Sequence, residues 1–102
     1  MKVFISQPMN GKTEEEIMAT RNEAIKNITL SFIAKEGFDV IDSYFREYDP
    51  EKGCIPLKYL GRSIKKLANA DLAYFVKGWD QARGCVIEHQ CAEMYGIPFI
   101  EE

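Results

Sequence analysis

The chain has 102 residues, of which 46% are hydrophobic and 12% aromatic, enough apolar surface for one folded domain spanning residues 1–102 and too much for a disordered chain. Its 13 basic and 16 acidic residues give a net charge of −3, which argues against a nucleic-acid polymer held by counterion release. No apolar run approaches the ~18 residues of a membrane span, and the first residues are too briefly apolar for a secretory signal. Three cysteines, an odd and sparse set, favour a reducing compartment, so the composition predicts a cytoplasmic protein.

The N-terminal part of the chain predicts a buried strand followed by a long helix. Residues 2–6 are rich in β-branched and aromatic side chains, and Pro8 ends the run. Thr13 and Glu16 have the spacing of a capping box, which marks the start of a helix. Gly37 supplies the predicted C-terminal stop of that helix. The apolar residues at helical spacing between these signals are Ile17, Ala24, Ile25, Ile28 and Phe32.

The middle of the chain predicts a second strand, a loop and a second helix. Residues 38–42 form the strand. Residues 43–55, which include Tyr44 and Phe45, have the composition of a long functional loop. Pro56 suits the first turn of the following helix. The predicted buried stripe of that helix is Leu57, Leu60, Ile64 and Leu67.

The C-terminal part predicts a third strand, a turn, a third helix and a last strand. The strands are residues 71–76 and 97–100, the turn lies at 78–83, and the helix runs from about residue 82 to residue 95. The predicted apolar stripe of the helix is Ile87, Cys91, Met94 and Tyr95.

This alternation of strands and helices predicts a single-domain α/β fold. The expected architecture is a Rossmann-like or flavodoxin-like three-layer sandwich with a four-stranded parallel sheet in the order 2-1-3-4. In such a sheet ligands bind beyond the carboxyl ends of the strands, near the switch in strand order. The segments expected there are 6–12, 43–54 and 77–84.

Two familiar kinds of site are weak in this sequence. Gly11 and Lys12 stand where a phosphate-binding P-loop would end, but Ser6 takes the place of its first glycine and Pro8 removes one of its amides, so a turn before a capped helix is favoured. Cys85 and Cys91 are too far apart on a helix for a shared zinc ion, and the chain has one histidine. We therefore expect no metal and no organic cofactor.

Glu88 is the candidate catalytic residue of the last predicted helix. It lies at the border of the apolar stripe, and helical side chains lean toward the N-terminus, so its carboxylate is expected to point toward the strand-end crevice. Gly84, four residues earlier on the same face, leaves that direction unshielded, and Asp80 on the preceding turn completes a candidate catalytic pair. The alternative is a glutamate solvated at the flank of the helix.

A resemblance to a known family rests on the order of these residues. The chain carries Asp71, then Gly78-Trp79-Asp80, Gly84-x-x-x-Glu88 and Ala92-x-x-x-Gly96-Ile97-Pro98. This order resembles the nucleoside 2-deoxyribosyltransferase family, and within it the short phage and bacterial branch of unassigned function. The opening run from Phe4 to Gly11 is similar to the start of that branch, so the resemblance covers both ends of the chain.

The resemblance implies a function and roles for particular residues. Glu88 matches the family nucleophile, and Asp80 matches the aspartate near the nucleobase, which orients or protonates the base. Asp71 matches a recurrent family aspartate, but it lies at the wrong end of its strand for the crevice and is expected to be structural. The other residues expected to bind substrate are Ser6, Gln7, Asn10, Trp79, Arg83 and Gly84.

Departures from the family pattern leave the reaction open. Gln7 replaces the usual glycine before Pro8, Ala82 stands where relatives carry a hydroxyl residue, and the sequence given ends at Glu102, before the segment that completes a neighbouring site in longer transferases. We therefore expect either deoxyribosyl transfer or hydrolysis, on a nucleoside or a nucleoside monophosphate. A non-catalytic nucleotide-binding module of the same fold is one alternative, and an interaction protein that uses the aromatic residues from Tyr44 to Tyr48 is another. The expected assembly is a homodimer or a larger homo-oligomer.

Overall fold

The computed structural model describes residues 1–31, 37–42 and 53–102, and within them strands and helices alternate along the chain. The strands are β1 (Lys2–Ser6), β2 (Asp39–Val40), β3 (Leu72–Phe75) and β4 (Phe99–Glu101). The helices are α1 (Glu14–Thr29), α2 (Ile55–Leu67) and α3 (Arg83–Met94), with a short 3₁₀ turn at Trp79–Gln81 between β3 and α3.

The four strands form one sheet in the order β2-β1-β3-β4, and every neighbouring pair is parallel. This confirms the predicted α/β class and the predicted strand order. In the central pair, Val3 aligns with Leu72 and Ser6 with Phe75, so β1 and β3 end at the same edge. That edge carries the residues following both strands, as the ligand-binding rule for parallel sheets requires.

The two faces of the sheet are covered by different helices because side chains alternate along a strand. On one face, Val3 and Ile5 of β1 pack with Ala24 and Ile28 of α1. On the other face, Phe4 packs in a second cluster that includes residues of α2 and α3. The buried members of that cluster are Phe4, Leu67, Ala73, Phe75 and Ala92. The protein is therefore a three-layer sandwich, with α1 on one side and α2 and α3 on the other.

The start of α1 confirms the predicted capping box. The Thr13 hydroxyl accepts a hydrogen bond from the Glu16 amide at 3.1 Å, and Glu16 Oε1 accepts one from the Thr13 amide at 3.4 Å. The predicted end of the helix was wrong, because α1 ends at Thr29 with Leu30 as its cap. Gly37, which has a φ of 87°, instead precedes β2, and Phe32 lies outside the described residues.

The second strand and second helix were predicted in the right places but with different details. Strand β2 covers Asp39–Val40, which is shorter than the predicted 38–42, and residues 43–52 of the predicted loop lie outside the described residues. Helix α2 has Pro56 in its first turn, as expected. Leu67 is buried, but Leu57 is 63% exposed, so the predicted stripe does not extend to the start of the helix.

The buried face of α3 differs from the one predicted. Its buried residues are Cys85, Glu88 and Ala92, whereas Met94 and Tyr95 are 75% and 83% exposed. The predicted stripe counted apolar residues only, and it therefore left out the carboxylate of Glu88, which the buried face includes. Glu88 consequently lies at the centre of the buried face and not at its border, and the alternative of a solvated glutamate was wrong.

Asp71 lies at the amino edge of the sheet, opposite the expected crevice. Its Oδ2 accepts a hydrogen bond from the Lys2 amide at 2.7 Å, which joins the beginnings of β1 and β3. This placement agrees with the structural role that the sequence suggested for it.

Candidate active site

The candidate site lies at the end of β1, on the sheet face covered by α2 and α3. Ser6 is the last residue of β1, and alternation turns its side chain to the same face as Phe4. Its hydroxyl is buried and donates a hydrogen bond to Oε1 of Glu88 at 2.8 Å. Strand β1 and helix α3 are thus linked at the edge where a parallel sheet binds its ligands.

Glu88 is the central residue of this site. Its side chain is 6% exposed, and both oxygens of its carboxylate accept hydrogen bonds from serine hydroxyls. Ser6 bonds to Oε1, and Ser63 of α2 makes a short hydrogen bond to Oε2. One carboxylate therefore joins β1, α2 and α3.

Among the described residues, no basic side chain forms an ion pair with Glu88. Burial raises the pKa of Glu88, because desolvation disfavours the charged form. The hydrogen bonds from Ser63 and Ser6 act in the opposite direction and lower that pKa, without cancelling the effect of burial. The result is a carboxylate that takes up a proton more readily than an exposed glutamate.

Cys85 lies beside the same serine. The pKa of its thiol is raised to about 11, mainly by burial and to a smaller extent by the nearby charge of Glu88, while a hydrogen bond with Ser6 acts in the lowering direction. The thiol is therefore protonated at neutral pH, which makes it a poor nucleophile. Cys85 therefore packs beside Ser6 as a buried, uncharged side chain.

The turn before α3 places Asp80, Trp79 and Arg83 near one another in the chain but in different surroundings. Asp80 is exposed in the 3₁₀ turn, and Arg83 is exposed as the first residue of α3. Trp79 is half-buried, and its indole stacks on the imidazole of His89 with ring centroids 4.1 Å apart and an interplanar angle of 9°. Within the described residues, no hydrogen bond joins Asp80 to Glu88.

Gln7 and Asn10 follow β1 and differ in exposure. Gln7 is buried, and its Nε2 donates to the Ile17 carbonyl at 2.9 Å, so the side chain turns toward α1. Its Oε1 is buried with no hydrogen-bond partner among the described residues. Asn10 is exposed in the turn that precedes α1.

Gly84 faces α2. A Cβ atom at this position would lie 3.9 Å from Cδ1 of Leu60, an ordinary van der Waals distance. Gly84 lies one turn before Glu88 on the same face of α3, so this face of the helix meets α2 at both positions.

A basic concavity lies on another side of α2. It has a volume of about 460 Å³ and does not include the residues predicted for the site. Its lining residues are Asp42, Arg62, Lys65, Lys66 and Asn69.

The residue that the sequence reasoning missed is Ser63. It lies within the predicted second helix, away from the three strand-end segments, and no motif marks it. The available signal was a serine between Leu60 and Leu67 on the inner side of an amphipathic helix, where a further apolar residue is typical. Such a polar residue on a buried face points to a polar partner across the helix interface.

Metal binding and membrane insertion can both be considered for the described part of the chain. No group of three or more histidine, cysteine, aspartate or glutamate side chains is arranged to hold a metal ion there. Among the same residues, no helix combines the length and the apolar character needed to cross a membrane.

The fold and the site together define an α/β protein with a four-stranded parallel sheet and a buried, hydroxyl-bound carboxylate at its carboxyl edge. Over residues 1–101 the chain matches the family described as a domain of unknown function (DUF4406), and it belongs to that family. Comparisons with curated proteins and with solved structures found no match.

Proposed function

We propose that the protein acts on the N-glycosidic bond of a nucleoside or a nucleoside monophosphate, by deoxyribosyl transfer or by hydrolysis, with Glu88 as the nucleophile. The observation that carries the proposal is the carboxylate of Glu88, which is buried at the carboxyl edge of the sheet and held by two hydroxyl groups. The resemblance to nucleoside 2-deoxyribosyltransferases supports the same residue independently of this geometry.

The reaction has two steps, each of which exchanges one bond at the anomeric carbon. A carboxylate oxygen of Glu88 forms a bond to C1′ as the bond from C1′ to the base nitrogen breaks, and the base leaves with that electron pair and takes up a proton. Water or a second nucleobase then attacks C1′, and the bond from C1′ to the Glu88 oxygen breaks, which releases the carboxylate. The attacking group gives its proton to solvent or to a nearby proton acceptor. Both steps pass through an oxocarbenium-like state, whose positive charge the carboxylate stabilises.

The hydrogen bonds to Glu88 are compatible with a nucleophilic role. A carboxylate offers about four lone-pair positions, and the two serine hydroxyls use one on each oxygen. A lone pair on each oxygen therefore stays available for C1′. Burial also strengthens the attraction between this carboxylate and a developing positive charge, because little water is present to screen it.

The base and the 5′-phosphate of the substrate are assigned to Asp80, Trp79 and Arg83. Asp80 is proposed to orient or protonate the leaving base. The indole of Trp79 offers a stacking surface for the base, and Arg83 a positive charge for a 5′-phosphate. Ser6, Gln7, Asn10 and Gly84 complete the proposed binding region.

A second candidate is a nucleotide-binding module of the same fold that does not turn over its ligand. The specific observation in its favour is that Glu88 is only 6% exposed and already makes a hydrogen bond through each oxygen. In this alternative the carboxylate serves to hold β1, α2 and α3 together.

Incubation with a panel of deoxynucleosides and their monophosphates separates the two candidates. Free base is measured by chromatography, and binding is measured in parallel by calorimetry. Base release that is lost in Glu88→Gln but kept in Glu23→Gln, an exposed glutamate of α1 on the opposite side of the sheet, would support the enzyme. Binding without release of base by the unmodified protein would support the module and overturn the proposed reaction.

Self-association is part of the same proposal. A homodimer or larger homo-oligomer is proposed from the resemblance and from the small size of the domain, which buries a modest fraction of its surface. Light scattering coupled to size-exclusion chromatography measures the assembly, and a monomer across micromolar concentrations would contradict this part.

A further inference from the structure

The inner side of α2 carries the hydroxyl of Ser63 between two leucine side chains. Leu67 of this helix is buried and Leu60 is half-buried, and Ser63 lies one turn from each. We propose that Ser63 is a positioning residue for Glu88, which it holds through Oε2. The inference rests on the proposed function and adds to it a residue outside the segments that follow the strands.

The two serines act on the carboxylate from different elements. Ser6 is fixed at the end of a central strand, whereas Ser63 belongs to a helix, and the two hydroxyls bond to different oxygens. Rotation of the carboxylate about its terminal bond would break both hydrogen bonds. The pair therefore fixes the carboxylate plane, and with it the direction of the lone pairs that remain for C1′.

Ser63 also favours the charged form of the carboxylate, because its hydrogen bond lowers the pKa of Glu88. Around Glu88 the described residues supply the Ser6 hydroxyl from β1, the Ser63 hydroxyl from α2 and the Cys85 thiol from α3, and none of these carries a positive charge at neutral pH. Burial raises the pKa of Glu88, and of the two serines Ser63 opposes that increase more strongly. Without Ser63, burial would be opposed by Ser6 alone.

The first test measures the ionisation of Glu88 directly and needs no enzymatic activity. Carbon-13 NMR of the side-chain carboxyl is followed against pH in the unmodified protein and in three variants. Ser63→Ala should move the titration of Glu88 to higher pH, and Ser63→Thr, which keeps a hydroxyl, should restore it toward the original position. Ser31→Ala removes a hydroxyl that bonds to the Ile28 carbonyl at the end of α1, and it should leave the titration unchanged.

The second test measures the reaction. Since a hydrogen bond to a charged group is lost, Ser63→Ala should lower kcat by about tenfold or more with a smaller change in KM, and should shift the acidic limb of the pH profile upward. Ser63→Thr should recover most of kcat. A purely structural role for Ser63 would change stability but would not move the pH profile.

The outcomes separate the two proposals. An unchanged Glu88 titration in folded Ser63→Ala would overturn the role of Ser63, whatever the enzyme does. A shifted titration in a protein that releases no base would support the positioning of Glu88 by Ser63 and overturn the proposed reaction.

Discussion

The hydroxyl of Ser6 lies 2.8 Å from Oε1 of Glu88, although 82 positions separate the two residues in the chain. This hydrogen bond joins β1 to α3. The hydrogen bonds that the Glu88 carboxylate accepts from the described residues all come from neutral hydroxyl groups. An ionised carboxylate in this environment opposes folding more than a neutral group would, since desolvation is offset only in part. The stability of the protein should therefore depend on the ionisation of this one residue.

Replacing the carboxylate by an amide should change how stability depends on pH. The folded protein binds a proton at Glu88 more readily than the unfolded chain, because the folded pKa is raised above its ordinary value of 4.5. The contribution of Glu88 to stability is therefore fully present below 4.5 and is lost as pH rises through the folded pKa. Glu88→Gln should lack this dependence and should be the more stable protein at neutral pH, as measured by urea unfolding at a series of pH values.

The matched control for this experiment is Glu23→Gln, at an exposed site on α1. It should follow the unmodified protein at every pH. A constant difference between the unmodified protein and Glu88→Gln across the pH range would show that Glu88 ionises alike in the folded and unfolded states. The pH dependence of activity should be opposite to that of stability. In the proposed reaction, activity rises with pH as Glu88 loses its proton.

Truncation of a leucine to alanine should cost much more stability at Leu67 than at Leu57, because the side chain of Leu67 is 1% exposed and that of Leu57 is 63% exposed. Leu67→Ala removes a side chain packed in the cluster beneath α2 and α3, and it should lower the free energy of unfolding by about 2–5 kcal/mol. Leu57→Ala should change it by about 0.5 kcal/mol or less. Chemical denaturation of both variants measures the difference, and equal losses would contradict the observed burial of this helix.

The cysteines should differ in their reaction with iodoacetamide. Cys54 is exposed at the start of α2, whereas burial raises the pKa of the Cys85 thiol to about 11. At pH 7 about one Cys85 thiol in ten thousand would be ionised even if reagent reached it. Peptide mass spectrometry should find Cys54 alkylated first and Cys85 alkylated only after unfolding in urea. Comparable rates for the two in the folded protein would refute this.

The capping box of α1 should make a measurable contribution to stability. Thr13→Ala removes the hydroxyl that accepts from the Glu16 amide, and it should reduce the free energy of unfolding by about 1 kcal/mol. Thr29→Ala serves as the control, because its hydroxyl bonds to the Ile25 carbonyl within the last turn of the same helix and caps no free amide. A loss in Thr29→Ala as large as that in Thr13→Ala would argue against the capping contribution.

The backbone of this protein was predictable because its signals are local. The apolar run ending at Ser6, the capping box at Thr13 and Pro56 in the first turn of α2 each act within a few residues, and each appears in the structure. The end of α1 was harder to predict, because Gly37 was the nearest recognisable stop and the helix ends earlier, at Thr29. Ends of this kind depend on where a helix stops packing against the sheet, which local sequence does not encode.

The candidate site was predictable only in part because its contacts are distant in sequence. Glu88 was identified from its neighbours in the chain, but its burial depends on partners 82 and 25 positions away. Hydrophobic periodicity assigns a charged residue to the outside, and it has no means of anticipating that Ser6 and Ser63 will offset the cost of desolvation. The same rule placed Met94 on the inside, where the structure leaves it exposed.

The stacking of Trp79 on His89 gives the protein a built-in optical reporter. Trp79 is the one tryptophan in the sequence, and it lies next to Asp80 in the turn that leads into α3. Its fluorescence therefore comes from a single position, where the indole is stacked on the imidazole of His89. A ligand that separates the two rings would change the emitted light without any attached dye.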